Sequence, residues 1–162
     1  MTVSDHDEPA VRLQRTIPAP PERVYRAWLE PEIMHRWFAP AIFRVSKAEV
    51  DERVGGRFSV WHHDADGNDV GGFEATIEEL VPHERIVLVG QFVGPDRSTD
   101  PALASRLTLT FTPAPNGGTL LHLTHKHLGG LRAHAPEIAD NVRVGWESAL
   151  DALATALDNT AK

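Results

Sequence analysis

The chain contains no cysteine. That excludes disulfides, a thiolate nucleophile and any thiolate-bound metal. No apolar run approaches the roughly 18 residues that a membrane-spanning helix requires. The opening stretch, MTVSDHDEPA, is polar and acidic, without the basic start and apolar middle of a secretory signal. Positive charge is also scarce: 16 Lys and Arg stand against 23 Asp and Glu, a net charge of −7. No basic cluster offsets that balance, so phosphate backbones and anionic membranes are repelled. Neither nucleic acid nor a membrane is an expected partner, and a cytoplasmic location is expected. G-x-S-x-G elbows, phosphate loops and G-x-G-x-x-G turns are absent, and the paired glycines are read as turns.

What is present suits one globular domain. The 162 residues are 41% hydrophobic and 24% charged, enough for a single core. Residues 1–9 read as a flexible tail and residues 10–162 as the domain, with no internal repeat or linker. VRLQRTI (11–17) alternates Val11, Leu13 and Ile17 against Arg12, Gln14 and Thr16, which predicts a strand. Arg15 breaks the apolar face, either as a buried cation for a ligand carboxylate, or because it sits at a bulge or pairs with a nearby acid. Prolines 20 and 21 suit the first turn of a short helix, with Val24, Ala27 and Trp28 as its apolar face. Pro31 opens a second helix, PEIMHRWF, with Ile33, Trp37 and Phe38 on its buried side. Six more strands are expected over 43–53, 57–63, 72–80, 86–93, 105–113 and 119–128, separated by turns such as DADGND and APNGG.

The last element is a long helix. Val142, Trp146, Ala149, Leu150, Leu153 and Leu157 form one stripe at helical spacing. Gly145 sits inside it, at a cost of about 0.5–1 kcal/mol relative to alanine. It allows close approach of helix to sheet, or leaves room for a ligand beside Trp146. The order of elements predicts an α+β fold.

RTIPAPPERVYRAWLEPEIMHRWFAP (15–40), VGGRF (54–58), LTH (123–125) and GWESALDAL (145–153) together resemble the Hsp90-ATPase-activator-homologue-like (AHSA1-like) domains. These lie within the START and Bet v 1 helix-grip (SRPBCC) superfamily. The resemblance covers roughly residues 11 to 158. It implies a curved seven-stranded antiparallel sheet wrapped round the C-terminal helix, with two short helices after the first strand. It also implies a cavity between the layers for a small hydrophobic or amphipathic ligand. Some superfamily members catalyse cyclisation or hydration, and the eukaryotic activators stimulate a chaperone. This chain is similar to their C-terminal domain alone, so the main chaperone contact is not expected of it.

Strand alternation then nominates the cavity wall. Trp37, Phe38, Phe58, Val60, Leu88, Gly90, Leu109, Phe111, Leu123, His125, Trp146 and Leu150 are the candidate ligand-binding residues. His125 either makes a structural hydrogen bond, orients a ligand, or acts as acid–base in a cyclase- or hydrolase-like reaction. Gly90 stands where such domains often carry tryptophan, so it widens the cavity or marks a bulge. His125 and His127 form an H-x-H pair, with His62, His63 and Asp64 as further donors. No third ligand is fixed by spacing, and no metal or cofactor is expected. Trp61 falls on the outer face, under a loop or in a homodimer contact. Glu78 and Glu79 are read as a solvated edge.

Overall fold

The computed structural model describes residues 10–39, 43–93, 104–127 and 136–157. The acidic tail and the side chains of His127 and Val142 lie outside the described residues. Seven strands run β1 (Ala10–Ile17), β2 (Arg44–Val50), β3 (Arg57–His63), β4 (Asp69–Val81), β5 (Arg85–Val93), β6 (Ser105–Pro113) and β7 (Thr119–His127). They form one antiparallel sheet in the order β1-β7-β6-β5-β4-β3-β2. The meander from β2 to β7 follows from short turns. Gly67 in DADGND supplies the left-handed residue its hairpin needs, at φ 84°. The first strand then returns beside the last, pairing Val11 with His125 and Leu13 with Leu123.

Helices α1 (Pro21–Ala27) and α2 (Pro31–Met34) follow β1, and α3 (Pro136–Leu157) closes the chain. Each short helix has proline in its first turn. There the missing N–H costs nothing and the fixed φ favours the helix. The second helix is shorter than its sequence suggests. It stops at Met34, and Trp37 and Phe38 lie in the turns after it, their amides bonded to the Met34 carbonyl. Both aromatic rings are buried nonetheless.

The concave face carries Phe58 and Val60 of β3, Phe73 and Ile77 of β4, Ile86 and Leu88 of β5, Leu107 and Leu109 of β6, and Leu121 and Leu123 of β7. Helix α3 turns Trp146, Ala149, Leu150, Leu153 and Leu157 onto this face, packing chiefly along β1. Full burial of each large apolar side chain contributes about 1.5–3 kcal/mol. Arg15 shares the inward parity of β1, and its guanidinium pairs with Asp151 of α3. The cation that broke the strand pattern thus ties the helix to the sheet edge.

Gly90 is not the bulge. The register shift between β4 and β5 falls between Ile77 and Glu79. The extra residue, Glu78, pairs with Arg106, and Glu79 pairs with Arg85. Gly90 is required for another reason. A Cβ there would stand 2.0 Å from the Glu74 carbonyl oxygen and 2.5 Å from the Ala75 Cα. Strand β4 approaches too closely for any side chain.

Candidate functional site beneath the C-terminal helix

His125, on β7, is fully buried. The Trp146 indole of α3 donates to its Nδ1 at 2.9 Å. An indole N–H can only donate, so Nδ1 must accept, and in the neutral ring the proton sits on Nε2. Nε2 therefore donates to the Ser105 hydroxyl of β6, at 2.8 Å. Ser105 passes its own proton to the carbonyl of Gly90 on β5, at 3.1 Å. One directed chain joins α3 to three adjacent strands. It also engages both ring nitrogens, so no lone pair is left to take a substrate proton. The arrangement ties the helix to the sheet.

Above the histidine lies an aromatic cluster. Trp28 stands 4.6 Å from Trp37, 5.6 Å from Phe38 and 5.9 Å from Trp146, measured between ring centres. Phe38 reaches Phe58 at 5.8 Å and Trp146 at 5.6 Å. The sequence-derived wall comes together here and below. Trp37, Phe38, Phe58, Val60, Leu88, Leu109, Phe111, Leu123, Trp146 and Leu150 all belong to one buried cluster, and Gly90 is half-buried beside it. Burial is also what a filled core requires, so it does not by itself distinguish wall from core.

The indole N–H groups do make a distinction. Trp37 donates to the Ala27 carbonyl at 3.1 Å, Trp61 to the Glu74 carboxylate, and Trp146 to His125. The fourth, Trp28, is completely buried, and among the described residues its N–H has no acceptor. Leaving such a donor unpaired costs about 1–3 kcal/mol. Trp28 and Ser105 were not among the sequence-derived site residues. Ser105 carries a visible signal, the inward parity of Leu107, Leu109 and Phe111. Trp28 reads only as part of the apolar face of α1.

A crevice of about 250 Å³ opens where α3 passes the β2 edge of the sheet. Trp37, Val45 and Ala152 supply apolar wall, and His35, Arg36 and Arg44 rim it. Trp37 thus faces the crevice on one side and Trp28 on the other.

The convex face carries a separate depression of about 610 Å³. Trp61 lies there over Gly72, where a Cβ would meet the Val60 carbonyl at 2.2 Å. Its floor is Glu74, which accepts from Ser59 at 2.6 Å, from Arg57 at 2.9 Å and from Trp61. Burial pushes the Glu74 carboxyl up, but these donors together hold it below the ordinary range. The carboxylate is already satisfied within the protein.

Among the described residues no three His, Asp or Glu side chains gather as metal ligands do. His62 faces inward and bonds the Phe38 carbonyl at 2.7 Å, while His63 bonds the Asp64 carbonyl at 2.9 Å. Adjacent strand positions separate the two rings. No helix among the described residues is long and apolar enough to cross a membrane.

The fold recurs in solved structures. Protein NE0264 from Nitrosomonas europaea is 24% identical and superposes with a TM-score of 0.79, covering 97% of this chain and 98% of its own. Protein CV1439 from Chromobacterium violaceum is 32% identical, with a TM-score of 0.75 over 92% and 96%. The AHSA1 protein SPO3351 from Silicibacter pomeroyi is 19% identical, with a TM-score of 0.73 over 91% and 96%. A comparison with curated protein sequences finds no match. The family model described as Activator of Hsp90 ATPase homolog 1-like protein matches residues 18–158, from the end of β1 through α3. The sheet, the gripped helix and that match agree, and the chain belongs to the Activator of Hsp90 ATPase homolog 1-like family.

Proposed function

We propose that this protein is a cytoplasmic binder of a small apolar or amphipathic molecule, held between the sheet and α3. The observation that carries this reading is the buried, unpartnered N–H of Trp28 amid Trp37, Phe38 and Trp146. Buried donors are almost always paired, and an orphan calls for a missing acceptor. A guest with a carbonyl or ether oxygen would supply one, and its apolar body would be driven in by burial, at about 25 cal/mol per Å². The twelve wall residues, Trp37 to Leu150, with Trp28 added, are its proposed contacts.

The other two readings find less support. A cyclase- or hydrolase-like step on His125 would first require Trp146 or Ser105 to let go. A chaperone-docking role calls for an exposed apolar patch. Among the described residues the exposed large hydrophobic side chains are Val54 and Val144.

Native mass spectrometry of the protein isolated from its own host tests the binding reading. The expected result is a stoichiometric small-molecule adduct that alters tryptophan emission and is released on denaturation. A clean apo mass, with no emission response to a broad apolar library, would overturn it.

A further inference from the structure

We infer that the guest is an amphipathic anion, with its carboxylate at the crevice between α3 and β2. The inference rests on the binding reading above and adds the chemistry of the guest's exposed end. It starts from a charge anomaly. The chain carries a net charge of −7, yet the rim of this crevice is cationic, formed by Arg36 after α2, Arg44 at the start of β2, and His35.

Six of the other described arginines are matched by acids, whereas Arg12 and Arg143 have no acidic partner and border no crevice described above. Arg15 pairs with Asp151, Arg26 with Glu30 and Glu52, Arg53 with Asp51, Arg57 with Glu74, Arg85 with Glu79, and Arg106 with Glu78. Among the described residues neither Arg36 nor Arg44 makes an ion pair. On the helix, Asp151, next to Ala152, is already engaged. Asp151 turns to β1, while Ser148 and Ala152 of the same turns face the crevice.

The crevice wall has the opposite character. Trp37, Val45 and Ala152 are apolar, and Trp37 is in ring contact with Trp28 inside. An apolar wall under two unmatched guanidinium groups fits a molecule with an apolar body and an anionic head. A planar carboxylate suits the guanidinium fork, and its charge is opposite to the rim.

The probe pair is 6-acetyl-2-naphthoate and its neutral twin, 6-acetyl-2-naphthamide. They share shape and ketone and differ in head charge. Affinities are measured by calorimetry at low salt, and backbone amide shifts of Ser148 and Ala152 report whether the crevice is occupied. The carboxylate should bind about tenfold tighter than the amide. The double variant Arg36→Gln, Arg44→Gln should remove that preference and leave amide binding unchanged. Both side chains are exposed, so folding should survive, and circular dichroism checks it. Equal binding of both probes to the wild type would overturn the anionic head and leave the binding reading standing. So would a preference that the double variant keeps, or one that does not move Ser148 and Ala152. Failure of both probes to bind would count against the binding reading itself.

Discussion

Trp146 donates its indole proton to Nδ1 of His125 at 2.9 Å. That one bond fixes the tautomer of a fully buried histidine and directs the rest of the chain through Ser105 to Gly90. Nitrogen-15 spectra should therefore show His125 protonated at Nε2 and bare at Nδ1. A signal from the Nδ1–H form would contradict the arrangement.

Breaking this chain strands a buried polar atom. Ser105→Ala removes the acceptor for His125 Nε2–H and should destabilise the fold by about 1–3 kcal/mol. Trp146→Phe strands Nδ1 and also removes ring volume, so its cost should be at least as large. Denaturant melts of the two variants measure both. A neutral result for either would mean that the network contributes nothing to stability.

Gly90 should not tolerate a side chain. A methyl group there meets backbone of β4 at 2.0 Å and 2.5 Å, so Gly90→Ala should cost about 1–3 kcal/mol. If the β4 backbone could instead yield, alanine would be neutral or mildly stabilising, and thermal melts separate the two outcomes.

The pair between Arg15 and Asp151 is exposed on both sides. Such pairs contribute at most about 1 kcal/mol and are screened by salt. Asp151→Asn should lower stability by less than that at low ionic strength, and the difference should vanish at high salt. A loss of several kcal/mol would show that the pair anchors α3 far more strongly than its exposure implies.

His62 makes stability depend on pH. Burial lowers its pKa below 6.5, outweighing the Phe38 carbonyl bond that favours the charged ring; the nearby His63 adds to the lowering. The unfolded chain then binds the proton more readily than the fold. The His62 contribution is fully present above pH 6.5 and is lost as pH falls from there through the lower folded value. Relative to wild type, His62→Gln should flatten the loss of melting temperature over that window. Equal slopes would show that another group is responsible.

Much of this architecture can be read from alternation and turn residues, because each strand has one buried face and side chains repeat every two residues. Ser105 shows how far that goes. Its parity places it inside, but only the fold brings Gly90 and His125 to it from other strands. Strand parity puts Trp61 on the outer face, yet its burial over Gly72 and its bond to Glu74 depend on the register between β3 and β4. Trp28 was the least legible. A tryptophan on an apolar helix face predicts burial, and nothing in the sequence says whether its N–H will find an acceptor.

The central claim is that a guest supplies that acceptor. Its most direct test is the indole region of the proton–nitrogen-15 spectrum, titrated with 6-acetyl-2-naphthoate. Trp28→Phe identifies the Trp28 cross-peak among the four tryptophans. The account predicts that this proton moves downfield as the ketone accepts from it, while the N–H of Trp146, already bonded to His125, stays close to its starting position. Saturable binding with the Trp28 signal unmoved would contradict it.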